Sequence, residues 1–121
     1  MAMFGYAKTK ALILVATLML PFSTRAELWC EGRVSRVMTY AMGDLMIHAD
    51  YRGDWTAICN IETPRGGVPP GVCKNWFAQL SMAVALDKAV VVHYYDPSLQ
   101  SCNTIPAYHG APAPNYVHLV K

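Results

Sequence analysis

The chain has 121 residues, of which 54% are hydrophobic and 15% charged, and its formal net charge is +2. A chain of this length accommodates one small domain. It shows no internal repeat and no basic patch of the kind that binds nucleic acid, so we predict no nucleic-acid partner.

The N-terminus is organised like a secretory signal peptide. Lys8 and Lys10 precede a predominantly apolar run at 11–20, and Ser23–Ala26 provides the small residues of a cleavage site. A retained membrane anchor is the alternative interpretation, but a membrane-spanning helix needs about 20 apolar residues. We therefore predict export to the periplasm or the medium, with cleavage after Ala26 and no membrane span afterwards.

This cleavage divides the chain into a signal peptide at 1–26 and a single mature domain at 27–121. Lys8, Lys10 and Arg25 leave with the signal peptide. The mature chain keeps seven basic residues, which are the ten of the whole chain less these three, against eight acidic ones, and its formal charge is −1. A domain of this size has a marginal core unless it is reinforced.

Disulfide bonds are the expected reinforcement, because all four cysteines lie in the mature domain. An even number of cysteines in an exported domain indicates two disulfides, for which three connectivities are possible. A zinc site is the rival interpretation, but there is no Cys-x-x-Cys pair and the histidines are scattered, so we predict no metal. We favour Cys59–Cys73, from a strand end to the first helical turn, and Cys30–Cys102, from the N-terminus to a loop.

Three strands are expected first, joined by tight glycine turns. The long segment Gly32–Met42 alternates imperfectly and predicts a bent first strand. Gly43 then supplies a turn, because glycine adopts positive φ without strain. Leu45–Tyr51 predicts the second strand and Trp55–Ile61 the third, with Gly53 in the turn between them. Together they predict a meander.

A helix follows the proline-rich loop Glu62–Pro70, whose last prolines lie where a helix tolerates them best. The segment from Gly71 to Leu86 has a helical period and predicts about four turns. Trp76 and Ala83 flank its predicted buried stripe. The residues of that stripe are Cys73, Phe77, Leu80 and Val84.

Two more strands complete the chain. Ala89–Tyr95 is β-branched and aromatic, and it predicts a central fourth strand. The loop 96–115 contains four prolines, which exclude long regular elements. Tyr116–Val120 predicts the fifth strand. This order predicts a mainly β, α+β fold, and specifically a five-stranded OB-like barrel with the helix between strands three and four. A generic α+β roll with the same order of elements fits nearly as well.

The residues resemble the OB-fold B subunits of the subtilase cytotoxin and typhoid toxin type. The likeness lies in the cysteine of the third strand, Cys59, in Cys73 and Trp76 around the helix start, in the helix Phe77–Leu86 and in the strand Val90–Tyr95. The resemblance implies a homo-oligomeric ring that binds sialylated glycans. The N-terminus and the C-terminal tail differ, so no glycan-contacting residue is transferred. The chain is also similar to small secreted bacterial proteins, which implies no activity.

No pair of polar groups in the sequence suggests catalysis, which needs a nucleophile or a metal held beside a base. His48 and Asp50 share a predicted strand face, but a solvated face explains both residues. His93 lies between apolar and aromatic residues, which favours a buried, hydrogen-bonded histidine. We therefore predict no catalytic residue, no enzymatic activity and no cofactor.

The surplus of tyrosine and tryptophan suggests a binding protein, although filling a small core is the plainer explanation for most of these rings. Rings with an apolar face and a polar edge suit sugars and protein surfaces. We predict that Trp55, Tyr108 and His109 contact a glycan or protein ligand, so the leading hypothesis is an exported binding module. The alternative is a small secreted hydrolase or enzyme inhibitor acting through the loop 96–115, whose prolines would hold a recognition surface.

Overall fold

A computed structural model describes residues 13–17, 19 and 27–121. The predicted cleavage site therefore lies outside the described residues. Five antiparallel strands form one sheet, and one long helix packs on it. The structure confirms the mainly β, α+β class. The elements are β1 Glu27–Thr39, β2 Asp44–Ala49, β3 Trp55–Asn60, α1 Pro70–Leu86, β4 Ala89–Tyr95, a 3-10 helix at Cys102–Thr104, and β5 Tyr116–Leu119.

Strand β1 is the centre of the sheet, whose order is β3-β2-β1-β4-β5. Residues 27–33 of β1 pair with β4, and residues 34–39 pair with β2. The change of partner coincides with a register shift between Val34 and Arg36, and such a bulge bends a strand. β1 begins at Glu27, five positions before the predicted start at Gly32, because its first half finds a distant partner in β4.

The sheet is not closed by pairing between its edge strands, β3 and β5, so a barrel is not established. One isolated parallel bridge, between Thr56 of β3 and Tyr108, joins the β3 edge to the segment that precedes β5. The helix packs against β1, β3, β4 and β5. The core therefore lies between the helix and one face of the bent sheet.

The predicted buried stripe of α1 is partly wrong. Cys73 and Leu80 are buried as expected, but Phe77 and Val84 are 41% and 38% exposed. The flanking residues Trp76 and Ala83 are buried in their place. The helix is thus rotated about its axis relative to the prediction, and a reason is that Trp76 buries more apolar surface than Phe77.

The two disulfides are Cys30–Cys102 and Cys59–Cys73, the pairing that the sequence favoured. Cys59–Cys73 links β3 to the first turn of α1, and Cys30–Cys102 links β1 to the 3-10 helix after β4. The Cα atoms are 5.6 Å apart in both, a normal separation for a disulfide. Each bond therefore ties a sheet strand to an element on the other side of a loop.

Two glycines have specific structural roles. Gly43 has φ +99° in the turn between β1 and β2, as the sequence predicted, and few other residues adopt this conformation. At Gly32, an added Cβ would collide with the carboxylate of Asp50. That carboxylate accepts a hydrogen bond of 3.0 Å from the backbone N–H of Arg33. Gly32 therefore allows the turn after β2 to close against β1.

Two tyrosine hydroxyls, of Tyr51 and Tyr94, are buried without a hydrogen bond of normal geometry to any described residue. Burial raises the pKa of Tyr94 to about 12, an effect that outweighs the opposing influence of Tyr51, Arg65 and Thr56. Burial also raises the pKa of Tyr51 well above its usual value. Both phenols are therefore neutral at physiological pH.

Alkaline pH should destabilise the protein through Tyr94. The folded state holds this proton more tightly than the unfolded chain, so the stabilisation is complete below about pH 10 and is lost as the pH rises towards about 12. We expect the free energy of unfolding to fall between pH 8 and pH 11 by on the order of 1 kcal/mol more in the wild type than in Tyr94→Phe. Urea unfolding at pH 8, 10 and 11 measures the difference, and parallel curves would contradict it.

Candidate functional site

The loop that contains Tyr108 is held against the edge of β3. The Tyr108 N–H donates to the Trp55 carbonyl at 2.7 Å, and the Ala57 N–H donates to the Tyr108 carbonyl at 3.0 Å. Tyr108 has φ +52°, a left-handed conformation that is unfavourable for tyrosine, and its side chain is 44% exposed. The structure therefore places two of the three predicted ligand contacts, Trp55 and Tyr108, next to one another through the backbone.

The ring of Trp55, on the edge strand β3, contacts one polar side chain from β2 and one from β1. The Arg36 guanidinium carbon is 5.2 Å from the ring centroid, and the His48 ring meets it edge-on at 5.6 Å. Ser35 contacts the His48 ring in turn, with Oγ 3.4 Å from Nδ1. We call Trp55, Arg36 and His48 the Trp55 surface. It combines an aromatic ring with a cation and an imidazole.

His109, the third predicted contact, follows Tyr108 in the loop before β5. Its side chain contacts residues at the turn between β1 and β2. Its Nε2 is 3.0 Å from a carboxylate oxygen of Asp44, and its ring is 5.4 Å from that of Tyr40. Partial burial alone would raise the pKa of Asp44, but hydrogen bonds from Asn60 and His109 and the nearby positive charges lower it. Asp44 is therefore ionised at neutral pH and fixes the orientation of His109.

Arg65 holds the loop that contains Tyr108 and His109 through two hydrogen bonds. Its Nη2 donates to the carbonyls of His109, at 3.2 Å, and Ala111, at 2.7 Å. No contact between rings joins Trp55, Tyr108 and His109 within the described ranges. The three predicted residues thus form a line along the β3 edge and the adjacent turn rather than one cluster.

The pair His48 and Asp50 does not form an acid/base unit. Asp50 lies in the turn after β2 and accepts from the Arg33 N–H, while the His48 ring contacts Ser35 and Trp55. Among the described residues, the carboxylate that reaches a histidine is Asp44, beside the exposed His109. No enclosed pocket is found in the part of the chain that the structure describes.

A second aromatic surface was not predicted. Trp29, His93, Tyr116 and His118 form a row of rings across β1, β4 and β5, with centroids 4.5 to 5.8 Å apart between neighbours. We call these four residues the Trp29 surface. His93 is buried, as the sequence suggested, and its Nδ1 is 3.3 Å from the side-chain nitrogen of Asn115. Alternation from Glu27 to Glu31, with Leu28 and Cys30 directed inward, is the signal that could have revealed this surface.

No described helix has both the length and the apolar character needed to cross a membrane. Within the same residues, no group of three or more histidine, cysteine, aspartate or glutamate side chains is placed to hold a metal ion. Comparison of the chain with protein-family models, curated proteins and solved structures gives no match.

Proposed function

We propose that the mature chain is an exported, non-enzymatic binding module that recognises a glycan or a partner protein. The observation that carries this proposal is the Trp55 surface, where an aromatic ring, a cation and an imidazole lie together beside a rigidly held loop. Pre-positioned rings bind with little ordering of side chains. Two disulfides are compatible with a periplasmic or extracellular protein.

An OB-like barrel is the architecture we propose for this module. The strand order and the position of the helix between β3 and β4 suit such a fold. The parallel bridge between Thr56 and Tyr108 also supports a barrel, because it places the chain segment that precedes β5 beside β3. The resemblance to toxin B subunits adds the proposal of a homo-oligomer, which native mass spectrometry of the mature protein tests directly.

Loss of the Tyr108 ring should weaken ligand binding. Truncating an aromatic anchor at an interface typically costs about 1 kcal/mol or more, and we expect this for Trp55→Ala and Tyr108→Ala. A glycan array and a pull-down from the native environment would identify the ligand, and titration calorimetry would then measure the affinity of each variant for it.

Tyr108→Gly is the sharper test, because glycine removes the ring and also relieves the strain of the left-handed backbone. Its binding should fall while its stability is kept or increased.

Phe77→Ala is a matched control, since Phe77 is exposed to a similar degree, 41% against 44%, but lies on the helix. It should bind like the wild type. Unchanged affinity in both Trp55→Ala and Tyr108→Gly would contradict the proposed surface. Turnover of a substrate that His109→Ala abolishes in a folded protein would instead support the hydrolase alternative.

A further inference from the structure

The Trp29 surface lies on the side of the sheet opposite the core. Trp29 on β1 pairs directly with His93 on β4, and His93 pairs with Tyr116 on β5. Residues directly opposite one another on adjacent strands share a face, so the three rings form one row. Their chain neighbours point the other way and belong to the core: Cys30, Val92 and Val117.

The ring of Trp29 is exposed but held in place. Its side chain is 55% exposed, yet Nε1 donates a hydrogen bond of 2.9 Å to the hydroxyl of Tyr116. Its ring also packs at 5.1 Å against His93, which is itself stacked on Tyr116 at 4.5 Å with an angle of 7°. The indole is therefore fixed both through its N–H and through its ring. A fixed, exposed ring offers contact area without an ordering penalty on binding.

Hydrogen-bonding groups accompany the rings. The Tyr116 hydroxyl accepts from Trp29 and keeps its own hydrogen available to donate. His118 Nδ1 is 3.0 Å from the carbonyl of Leu119, and since a carbonyl only accepts, Nδ1 carries the hydrogen. In that tautomer Nε2 of the exposed His118 is an acceptor. A donor and an acceptor beside an aromatic face match a ligand that has both an apolar face and hydroxyl groups.

The charges on this face select against anions. Glu27 and Glu31 lie two positions on either side of Trp29 on β1 and so share its face. The next outward position is Arg33, whose guanidinium is 3.0 Å from the carboxylate of Asp87 and is therefore already paired. On this face the side chains of β1 would therefore present carboxylates, and no unpaired cationic side chain, to phosphate, sulfate or sialic acid. An uncharged or cationic ligand fits.

We propose that the Trp29 surface binds an oligosaccharide of neutral or amino sugars, with the apolar face of a pyranose ring stacked on Trp29. Hydroxyl groups of the sugar then pair with Tyr116 and His118, and Glu31 accepts from a hydroxyl or an ammonium group. This site is separate from the Trp55 surface and does not depend on it. Its preference for uncharged or cationic sugars also differs from the sialylated ligands that the toxin resemblance implies.

Titration of the oxidised, 15N-labelled mature protein with three trisaccharides tests the site. The probes are triacetylchitotriose, which is neutral, chitotriose, which is cationic, and 3′-sialyllactose, which is anionic. We expect triacetylchitotriose or chitotriose to shift backbone amide resonances of β1, β4 and β5 around Trp29. We expect 3′-sialyllactose to bind at least about tenfold more weakly, because of the carboxylates. Tightest binding of 3′-sialyllactose, or no shift on these strands with either other sugar, would overturn the proposal.

Variants separate this surface from the other one. Trp29→Ala should lower the affinity for the bound sugar at least about tenfold, while Phe77→Ala, the matched control with an exposed ring on the helix, should leave it unchanged. If Trp29→Ala does not fold, Tyr116→Phe keeps the ring, removes the hydroxyl and should weaken binding several-fold. Glu31→Gln removes one carboxylate and should reduce the ratio between the affinity for the bound sugar and the affinity for 3′-sialyllactose. Equal losses in Trp29→Ala and Trp55→Ala would overturn the assignment to the Trp29 surface but leave the Trp55 surface supported.

Discussion

Replacement of both Cys30 and Cys102 by serine should lower the free energy of unfolding by about 4 kcal/mol. The two cysteines are 72 positions apart, so the bond closes a long loop and removes much of the conformational entropy of the unfolded chain. The corresponding change at Cys59 and Cys73, which are 14 positions apart, should cost about 3 kcal/mol. Denaturant unfolding of the oxidised wild type and the two double variants measures both values.

The order of these two losses is the decisive comparison. Both bonds link buried cysteines of the sheet to another element, and the two variants remove the same number of sulfur atoms. A larger loss on removal of Cys59–Cys73 would show that the geometry of the helix start, rather than loop length, dominates. Equal stability of the oxidised and reduced wild type would contradict a structural role for both disulfides.

Leu80→Ala should destabilise the protein by about 2 to 5 kcal/mol, because the side chain is completely buried between the helix and the sheet. Its removal leaves a cavity that the surrounding core fills only in part. Phe77→Ala serves again as the control on the same helix, three positions away. Since the Phe77 side chain is 41% exposed, its loss should cost less than about 1 kcal/mol.

Urea unfolding of the two variants distinguishes the two rotations of α1. In the structure, Trp76 and Ala83 complete the buried face, and Phe77 lies outside it. A loss for Phe77→Ala as large as that for Leu80→Ala would restore the stripe expected from the sequence. A loss under about 0.5 kcal/mol for Leu80→Ala would place that side chain at the surface.

The elements that the sequence predicted well have strong local signals. Strand β4 has the predicted bounds Ala89–Tyr95, because its run of β-branched and aromatic residues is followed directly by Asp96 and Pro97. The helix begins at Pro70, within the prolines expected to precede it, and Gly43 makes the expected turn. These features depend on residues that are close in the chain.

Features set by distant partners were harder to predict. The first half of β1 is a strand because it pairs with β4. The predicted first strand began only at Gly32, so Trp29 was not assigned to a strand face. Either flank of α1 could have faced the sheet, since Cys73 and Leu80 belong to both possible stripes. The contact of His109 with Asp44 joins residues 65 positions apart, and no local pattern marks it. The site residues therefore emerged in part from tertiary structure.

The change of partner along β1 has a consequence for the order in which the chain folds. The second half of β1 pairs with residues 6 to 15 positions away, whereas the first half pairs with residues 56 to 68 positions away. Contacts between near neighbours in sequence form faster, because less chain entropy is lost before they are made. We expect the hairpin of β1 and β2 to form early and to leave the segment with Trp29 and Cys30 unpaired until β4 arrives. Folding of the domain at 27–121 would then be completed at its N-terminal strand, the part of the domain that is synthesised first.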